Sequence, residues 1–228
     1  MLMGPKSTGA ATMDKKRAIV SFANERGNYL LGLDRLERSI ARYGGDAAFF
    51  GFRGEELVGA PPHLENPYAF KIYCWQKVIS LGYRKILWLD ASVAAVAPLE
   101  PVWKAVQEDG YIMQEAGNSV GRWCNESTLA YFGMSREEAM NIYMYGNAGF
   151  LGLDLDFQIC REFFDKWRWS MLDGCFIGSW DDHRHDMTCG SIIANRLKMK
   201  YQKGDLFLHY APIEQPPAKG VCLHASGL

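Results

Sequence analysis

The sequence predicts a single α/β domain in which a central, mostly parallel sheet is flanked by helices. Between residues 17 and 90, short apolar runs alternate with segments of helical periodicity. The connections are short, as in a doubly wound βαβαβ arrangement. The run from Lys85 to Leu89 is almost wholly apolar, which is typical of a strand buried on both faces. The 228 residues are enough for one such domain with a large core.

Three strands and two helices are predicted for the first half of the domain. Apolar residues recur at helical spacing from Leu30 to Ile40, and Gly44 follows as a helix stop. A second helical pattern ends in the same way at Gly82. The predicted elements are strand 17–22, helix 28–43, strand 47–52, helix 67–81 and strand 85–90.

The second half of the chain is less regular, and two short strands that end in histidine close it. A polar loop over residues 181–186 precedes the last predicted helix. The predicted elements are a short helix after Pro101, strand 111–115, a polar and aromatic segment 117–140, strand 145–155, helix 157–172, helix 190–199, and strands 206–209 and 221–224.

Charge and composition exclude several classes of protein. A net charge of −1 gives no overall electrostatic signature of a nucleic-acid-binding protein, and no apolar run is long enough to span a membrane. The six cysteines are scattered without a Cys-x-x-Cys pair, which favours a reduced, cytoplasmic protein. Residues 1–16 lack the apolar core of a signal peptide, so we predict a disordered leader followed by one domain over 17–228.

Two common nucleotide-binding motifs are absent from the chain. There is no Gly-x-Gly-x-x-Gly after the first strand and no P-loop. These absences disfavour the usual dinucleotide-binding and P-loop interpretations.

The end of the Lys85–Leu89 run is the strongest candidate for a ligand site. Asp90 follows at the carboxyl edge of the predicted sheet, where open α/β sheets bind ligands. We expect Asp90 and Ser92 to point their oxygens into one place, because alternate strand residues share a face. Two hard oxygens there suit a divalent cation that carries a phosphorylated ligand. The alternative is that Asp90 caps a turn and Ser92 begins one.

Five segments, taken in order, resemble the GT-A glycosyltransferases, most closely family 8. The resemblance covers almost the whole chain after residue 16, and each motif alone is weak. Residues 85–92 resemble the family's metal motif, with Asp-x-Ser in place of Asp-x-Asp. The other four segments are 20–26 at the nucleotide base, 145–153 like the Phe-Asn-x-Gly strand, 185–188 like the Asp-Gln-Asp loop, and 221–227 like the closing His-x-x-Gly.

The resemblance implies a metal-dependent transferase that moves a sugar from a nucleoside-diphosphate donor, a UDP-sugar, with retention of configuration. It implies Mn²⁺ or Mg²⁺ held by Asp90, Ser92 and His224, and an imidazole ligand favours Mn²⁺. His209 is the rival nitrogen ligand, because it also ends a short predicted strand. The hydroxyl of Ser92 supplies no charge, so we expect weaker metal binding than in the usual site.

The same resemblance assigns residues to the donor and to catalysis. Asn147 would bond sugar hydroxyls and Asp186 would lie near the reacting sugar; the alternative is that Asp186 or Thr188 only caps a helix. Lys71 would face the diphosphate, although Lys77 is an equal structural candidate. Exposed aromatics near the polar loops are candidates for stacking on sugars. The implied donor-contacting residues are Ala23, Asn24, Arg26, Lys71, Leu89, Asp90, Ala91, Asn147, Ala148 and Gly149.

Two functions of different classes fit these features. The first is a glycosyltransferase whose acceptor is a glycan, a protein, a lipid or a modified nucleic-acid base. The alternative is a catalytically impaired protein that binds a sugar nucleotide without turnover, and the Asp-x-Ser motif favours it. A nucleotidyltransferase is disfavoured, because the turn after the first strand offers only Arg26 and Gly27 to a phosphate. The sequence leaves the acceptor and the oligomeric state open.

Overall fold

A computed structural model describes residues 17–145, 149–202, 207–210 and 220–225. The predicted leader, residues 1–16, and the predicted sugar-contacting residues Asn147 and Ala148 lie outside the described residues. Within those four ranges, no helix is long and apolar enough to cross a membrane.

The described residues form strands and helices that alternate along the first half of the chain, as predicted. The strands are β1 Arg17–Ala23, β2 Ala48–Arg53, β3 Lys85–Leu89, β4 Val93–Ala95, β5 Tyr111–Met113, β6 Glu115–Ser119, β7 Tyr143–Tyr145, β8 Phe150–Asp154, β9 Leu208–Tyr210 and β10 Leu223–Ala225. The helices are α1 Tyr29–Tyr43, α2 Glu55–Val58, α3 Ala69–Ser80, α4 Glu100–Asp109, α5 Glu126–Tyr131, α6 Arg136–Met140, α7 Gln158–Leu172 and α8 His185–Arg196, with a 3₁₀ turn at Val120–Arg122.

The central sheet has five strands in the order β2-β1-β3-β8-β5. β1 pairs in parallel with both β2 and β3, so the first three strands form the predicted βαβαβ unit. β8 runs antiparallel to β3 and to β5, which makes the sheet mixed with one reversed strand. The prediction of an α/β domain with a mostly parallel sheet is therefore confirmed.

Side chains that alternate along β1 build two separate cores, one on each face of the sheet. Ala18, Val20 and Phe22 join the core that α3, α7 and α8 cover. Ile19 points the other way and packs with Leu36 of α1 and with residues of α4. Burial on both faces explains why the strands are almost wholly apolar, and it confirms the doubly wound arrangement.

A second, smaller sheet lies next to the carboxyl end of β3. Its strand order is β4-β10-β9, with β10 antiparallel to β4 and parallel to β9. β4 begins at Val93, three residues after Asp90, so the closing strands of the chain return to the predicted ligand edge.

Two predictions about local structure are wrong. Asp90 and Ser92 do not continue β3: residues 90–92 form a turn in which the Val93 amide donates to the Asp90 carbonyl oxygen at 2.9 Å. The alternation argument for a shared face therefore does not apply to them. The last long helix begins at His185 rather than at Gly190, because the polar residues at its start are buried and hydrogen-bonded rather than solvated.

Gly190 allows α8 to pack against β7. A Cβ atom at Gly190 would lie 2.6 Å from the hydroxyl oxygen of Tyr145, and Tyr145 is 3% exposed. Its neighbour Ser191 accepts a hydrogen bond at 3.0 Å from the Tyr145 amide through its hydroxyl. The helix thus fixes both the backbone and the ring of the last described residue of β7.

We predict that Gly190→Ala destabilises the protein by about 1–3 kcal/mol, the usual cost of overpacking a filled core. Thermal unfolding followed by circular dichroism measures the loss. Tyr145→Leu is the partner variant, because it removes the ring that the new methyl group meets. The two changes should be less than additive in the double variant, and strict additivity would show that the Gly190–Tyr145 contact is not the cause.

Candidate active site

Three charged side chains from distant parts of the chain meet at the carboxyl end of β3. The Nζ of Lys71, on α3, lies 2.9 Å from Oδ2 of Asp186 and 3.7 Å from Oδ1 of Asp90. The Lys71 and Asp186 side chains are 2% and 4% exposed, whereas that of Asp90 is 31% exposed. The sequence predicted all three as site residues, and the structure brings them together. Lys77, the alternative to Lys71, has no part in this cluster.

Tryptophan indole groups donate hydrogen bonds to both acidic residues. The indole Nε1 of Trp88, on β3, donates to Oδ1 of Asp90 at 2.6 Å. The indole of Trp167, on α7, donates to the backbone oxygen of Asp186 at 3.0 Å. Oδ2 of Asp90 accepts no hydrogen bond from a described residue, so this oxygen remains for a ligand.

Burial and the neighbouring charges act in opposite directions on this cluster. Burial is the main cause that raises the pKa of Asp90 above its usual value; Lys71 and the Trp88 hydrogen bond oppose it, and Asp186 adds to it. Burial alone would lower the pKa of Lys71, but Asp186 and Asp90 together raise it. Lys71 therefore stays charged, and with both carboxylates ionised the cluster carries one net negative charge.

Flat side chains stack beside the charged cluster. The Tyr68 ring lies 5.3 Å from the Lys71 ammonium and 5.3 Å from the His185 ring, which is stacked on it. His185 is also stacked on Trp180 at 5.7 Å and meets the edge of His183 at 5.3 Å. The Arg184 guanidinium lies 4.1 Å from the Trp180 ring centroid and extends the stack outward. Trp180 is 48% exposed, so this aromatic wall reaches the protein surface.

The sequence analysis missed Tyr68, Trp88 and His185 as members of the site. Tyr68 has a φ of +61° immediately before α3, and His185 has a φ of +40° at the start of α8. Such left-handed conformations are costly for residues other than glycine and are often found at functional sites. A sequence pattern does not reveal them, although Trp88 stands two residues before Asp90 in the motif.

The predicted donor-binding residues occupy the ends of neighbouring strands. Ala23 is buried at the end of β1, Asn24 is half-buried, and Arg26 is exposed in the bend that follows. The Asn24 side-chain oxygen accepts from the Arg26 amide at 3.2 Å and shapes that bend. Leu89 and Ala91 are buried on either side of Asp90, whose amide donates to the Gly149 carbonyl at 3.0 Å.

The predicted metal ligands come from three neighbouring backbone segments. Ser92 lies in the turn after Asp90, where Arg35 donates to its carbonyl oxygen at 2.6 Å. His224, on β10, pairs with Ala94 of β4, and His209 lies one strand farther away on β9. The described residues contain no cluster of three or more His, Cys, Asp or Glu side chains that could hold a metal ion.

The chemistry of this donor set suits a divalent cation only in part. Asp90 offers Oδ2, which accepts no hydrogen bond from a described residue, Ser92 a hydroxyl and His224 an imidazole, and these are acceptable ligand types for Mn²⁺. Asp90 is the one formally charged residue of the three, and its Oδ1 lies 3.7 Å from the Lys71 Nζ, which offsets part of its charge. The residues therefore fit a weakly held metal whose binding is completed by oxygens of a phosphorylated ligand.

No protein-family model and no curated protein matches the sequence, but solved structures match the fold. One is the apo form of mouse xyloside xylosyltransferase 1, with a TM-score of 0.53, 8% identity, and coverage of 92% of this chain and 97% of that chain. Another is the apo bifunctional glycosyltransferase WbbM, with a TM-score of 0.51, 11% identity, and coverage of 88% and 41%. At such identities the likeness establishes the fold alone, which both glycosyltransferases share with this chain.

We predict that Asp90→Asn raises the melting temperature at pH 7–8. The raised pKa means that Asp90 favours folding only when protonated. Its contribution to stability is present below the pKa of the carboxyl in the unfolded chain, about 4. That contribution is lost as the pH rises through the pKa of Asp90 in the folded protein. The amide oxygen can still accept from Trp88. Circular dichroism melts at pH 8 and near pH 4 measure the difference in melting temperature between the variant and the parent, which should be smaller at the lower pH.

The control for this prediction is Asp165→Asn, on an exposed position of α7, which should change stability by no more than about 0.5 kcal/mol. A lower melting temperature for Asp90→Asn at pH 8 would show that the attraction of Lys71 outweighs the burial of the carboxylate.

Proposed function

We propose that this protein is a glycosyltransferase that uses a nucleoside-diphosphate sugar, a UDP-sugar, as its donor. The observation that carries the proposal is the partly exposed carboxylate of Asp90 beside the buried Lys71–Asp186 pair, at the carboxyl edge of the central sheet. Open α/β sheets bind ligands at that edge. The fold shared with two glycosyltransferases favours a sugar nucleotide over other ligands.

The strand ends suggest how the donor would lie. The bend at 23–26 follows β1, and β1 lies between β2 and β3 in the sheet. A nucleoside held against that bend would direct its diphosphate toward Asp90, at the end of β3. The sugar would then reach Asp186 and the aromatic wall formed by Tyr68, His185 and Trp180.

Transfer breaks the bond between the anomeric carbon and the diphosphate oxygen, and the diphosphate leaves with the bonding electrons. A nucleophilic atom of the acceptor forms the new bond to that carbon and gives up its proton to solvent. A Mn²⁺ or Mg²⁺ ion held by Asp90, Ser92 and His224 would stabilise the charge that grows on the leaving group. Lys71 adds a fixed positive charge next to Asp90 and orients the Asp186 carboxylate. Asp186 pairs with Lys71 at 2.9 Å, which suits a hydrogen-bond acceptor for a sugar hydroxyl better than a free nucleophile. The resemblance to family 8 favours retention at the anomeric carbon.

The second candidate is a protein that binds a sugar nucleotide but does not turn it over. The specific observation in its favour is that Asp90 shares its charge with Lys71, while Ser92 replaces the second carboxylate of the family motif. Release of UDP from a UDP-sugar in the presence of Mn²⁺ distinguishes the two candidates. Binding without release, across a panel of glycan, lipid and protein acceptors, would favour the second.

We expect UDP-sugars to raise the melting temperature in the presence of Mn²⁺. A ligand at one hundred times its Kd adds about 2.7 kcal/mol, which corresponds to roughly 5–10 °C for a chain of this size. Differential scanning fluorimetry with UDP-xylose, UDP-glucose, UDP-galactose and the corresponding GDP-sugars measures the shift. Asp90→Asn is the control and should abolish it. Equal shifts in the variant and the parent would place the nucleotide elsewhere and contradict the proposed site.

We predict that His224→Ala removes most of the Mn²⁺ affinity and that His209→Ala leaves it unchanged. β10, which carries His224, pairs directly with β4, the strand that follows the Asp90–Ser92 turn. β9, which carries His209, pairs only with β10 within the described residues. Isothermal titration with Mn²⁺ and UDP measures both variants. The reverse result would assign the nitrogen ligand to His209.

A further inference from the structure

His185 is a buried imidazole with one ring nitrogen engaged and the other without a hydrogen-bond partner in the described part of the chain. Nδ1 lies 2.8 Å from the carbonyl oxygen of Phe176. A carbonyl oxygen only accepts, so Nδ1 carries the proton and Nε2 presents a lone pair. Nε2 has no hydrogen-bond partner among the described residues, and it is not one of the fully buried side-chain atoms that lack a partner. This nitrogen therefore keeps some access from outside, although His185 as a whole is only 3% exposed. An accessible acceptor without a partner can take a hydrogen bond from a ligand.

His183 provides the comparison within the same segment. Its Nε2 lies 2.8 Å from the carbonyl oxygen of Cys175 and therefore carries the proton. Its Nδ1 accepts from the Asn125 amide at 3.4 Å and lies 3.4 Å from the Thr188 hydroxyl. Both ring nitrogens of His183 thus have hydrogen-bond partners within the protein, as expected for a histidine of the core. The two histidines are opposite tautomers. Of the two, only His185 has a ring nitrogen, Nε2, that accepts no hydrogen bond from a described residue.

The backbone and the neighbouring rings hold His185 in place. Its φ of +40° is strained for a residue with a Cβ atom. Stacking against Tyr68 at 5.3 Å and Trp180 at 5.7 Å fixes the plane of the ring. The next residue along the chain is Asp186, and the Tyr68 ring neighbours both the Lys71 ammonium and the His185 ring. His185 therefore lies next to the charged cluster.

We propose that Nε2 of His185 accepts a hydrogen bond from a hydroxyl of the donor sugar, and that His185 is thereby a specificity-determining residue. This inference rests on the proposed function. The ring is neutral in this role: burial is the main cause that lowers its pKa, and the positive charge of Arg184 acts the same way. The Phe176 carbonyl, Asp186 and Asp182 oppose the shift without reversing it. His63 also interacts electrostatically with this ring from the segment before α3.

The test compares UDP with a UDP-sugar in the variant His185→Asn. The amide nitrogen of asparagine can still donate to Phe176, and asparagine tolerates a positive φ, but it has no atom at the position of Nε2. Isothermal titration uses whichever of UDP-xylose, UDP-glucose and UDP-galactose binds the parent most tightly. We expect the variant to lose between about 2-fold and about 12-fold in affinity for that UDP-sugar, the worth of one hydrogen bond, and to keep its affinity for UDP.

His183→Gln is the control variant, because its amide nitrogen can replace the engaged Nε2. It should leave the ratio of UDP-sugar affinity to UDP affinity unchanged. A parallel loss of both affinities in His185→Asn would make His185 a structural residue, and no loss of either would remove it from the site; both results overturn the inference. If the parent protein binds the UDP-sugar no more tightly than UDP, the inference is overturned as well. A parent that binds neither ligand overturns the proposed function, and the inference with it.

A second measurement does not depend on whether the variant folds. In ¹⁵N-imidazole spectra of the parent protein, His185 should appear as the Nδ1–H tautomer and His183 as the Nε2–H tautomer. Adding the UDP-sugar should move the resonance of the unprotonated Nε2 of His185, while adding UDP should not. An unmoved Nε2 resonance at saturating UDP-sugar overturns the inference.

Discussion

The buried ammonium of Lys71 is the interaction on which the arrangement of the site depends. It joins α3 to the end of β3 through Asp90 and to the start of α8 through Asp186, which lies 115 residues away in sequence. Removing one partner of a buried ion pair typically costs about 3–5 kcal/mol, because the remaining charge is left without compensation. The helix dipoles affect the two residues in opposite ways. The first turn of α8 stabilises the Asp186 carboxylate, whereas the first turn of α3 destabilises the Lys71 ammonium. The attraction of Asp186 and Asp90 offsets that cost.

This arrangement separates the roles of the two acidic residues. Asp186 is almost fully buried, paired with Lys71 at 2.9 Å, and its backbone is anchored to α7 through the Trp167 indole. Asp90 is partly exposed, more weakly paired, and less favourable in its ionised form when the protein is folded. A group in that state gains most from an additional cation. The proposed metal and diphosphate would therefore act on Asp90, while Asp186 keeps the geometry of the sugar-facing surface constant.

The sequence predicted the parts of this structure that depend on apolar pattern. β1, β2 and β3 and the helices between them follow from periodicity, and the carboxylate at the end of β3 follows from where the apolar run stops. The start of α8 was missed because its polar residues are buried. Histidine and aspartate in a row indicate a solvated loop by composition, but His183 and His185 bond to the carbonyl oxygens of Cys175 and Phe176 instead.

The same limit explains the site residues that the sequence did not reveal. Stacking of Tyr68 on His185 depends on two left-handed backbone conformations, which no spacing of residue types encodes. Trp88 supports Asp90 with its indole N–H, yet a tryptophan within an apolar strand is predicted only as core. Local pattern thus locates the edge of the sheet where the site lies, whereas tertiary hydrogen bonds decide which side chains complete it.

The described residues on either side of 146–148 are tied to the two carboxylate-bearing elements. Tyr145 is held by α8, because its amide donates to Ser191 and its ring fills the space that Gly190 leaves. Gly149 is held by Asp90, whose amide donates to its carbonyl oxygen. The helix that carries Asp186 and the turn that carries Asp90 thus hold Tyr145 and Gly149, respectively. A change in the packing of α8 therefore reaches β7 through Tyr145 as well as the charged cluster through Asp186.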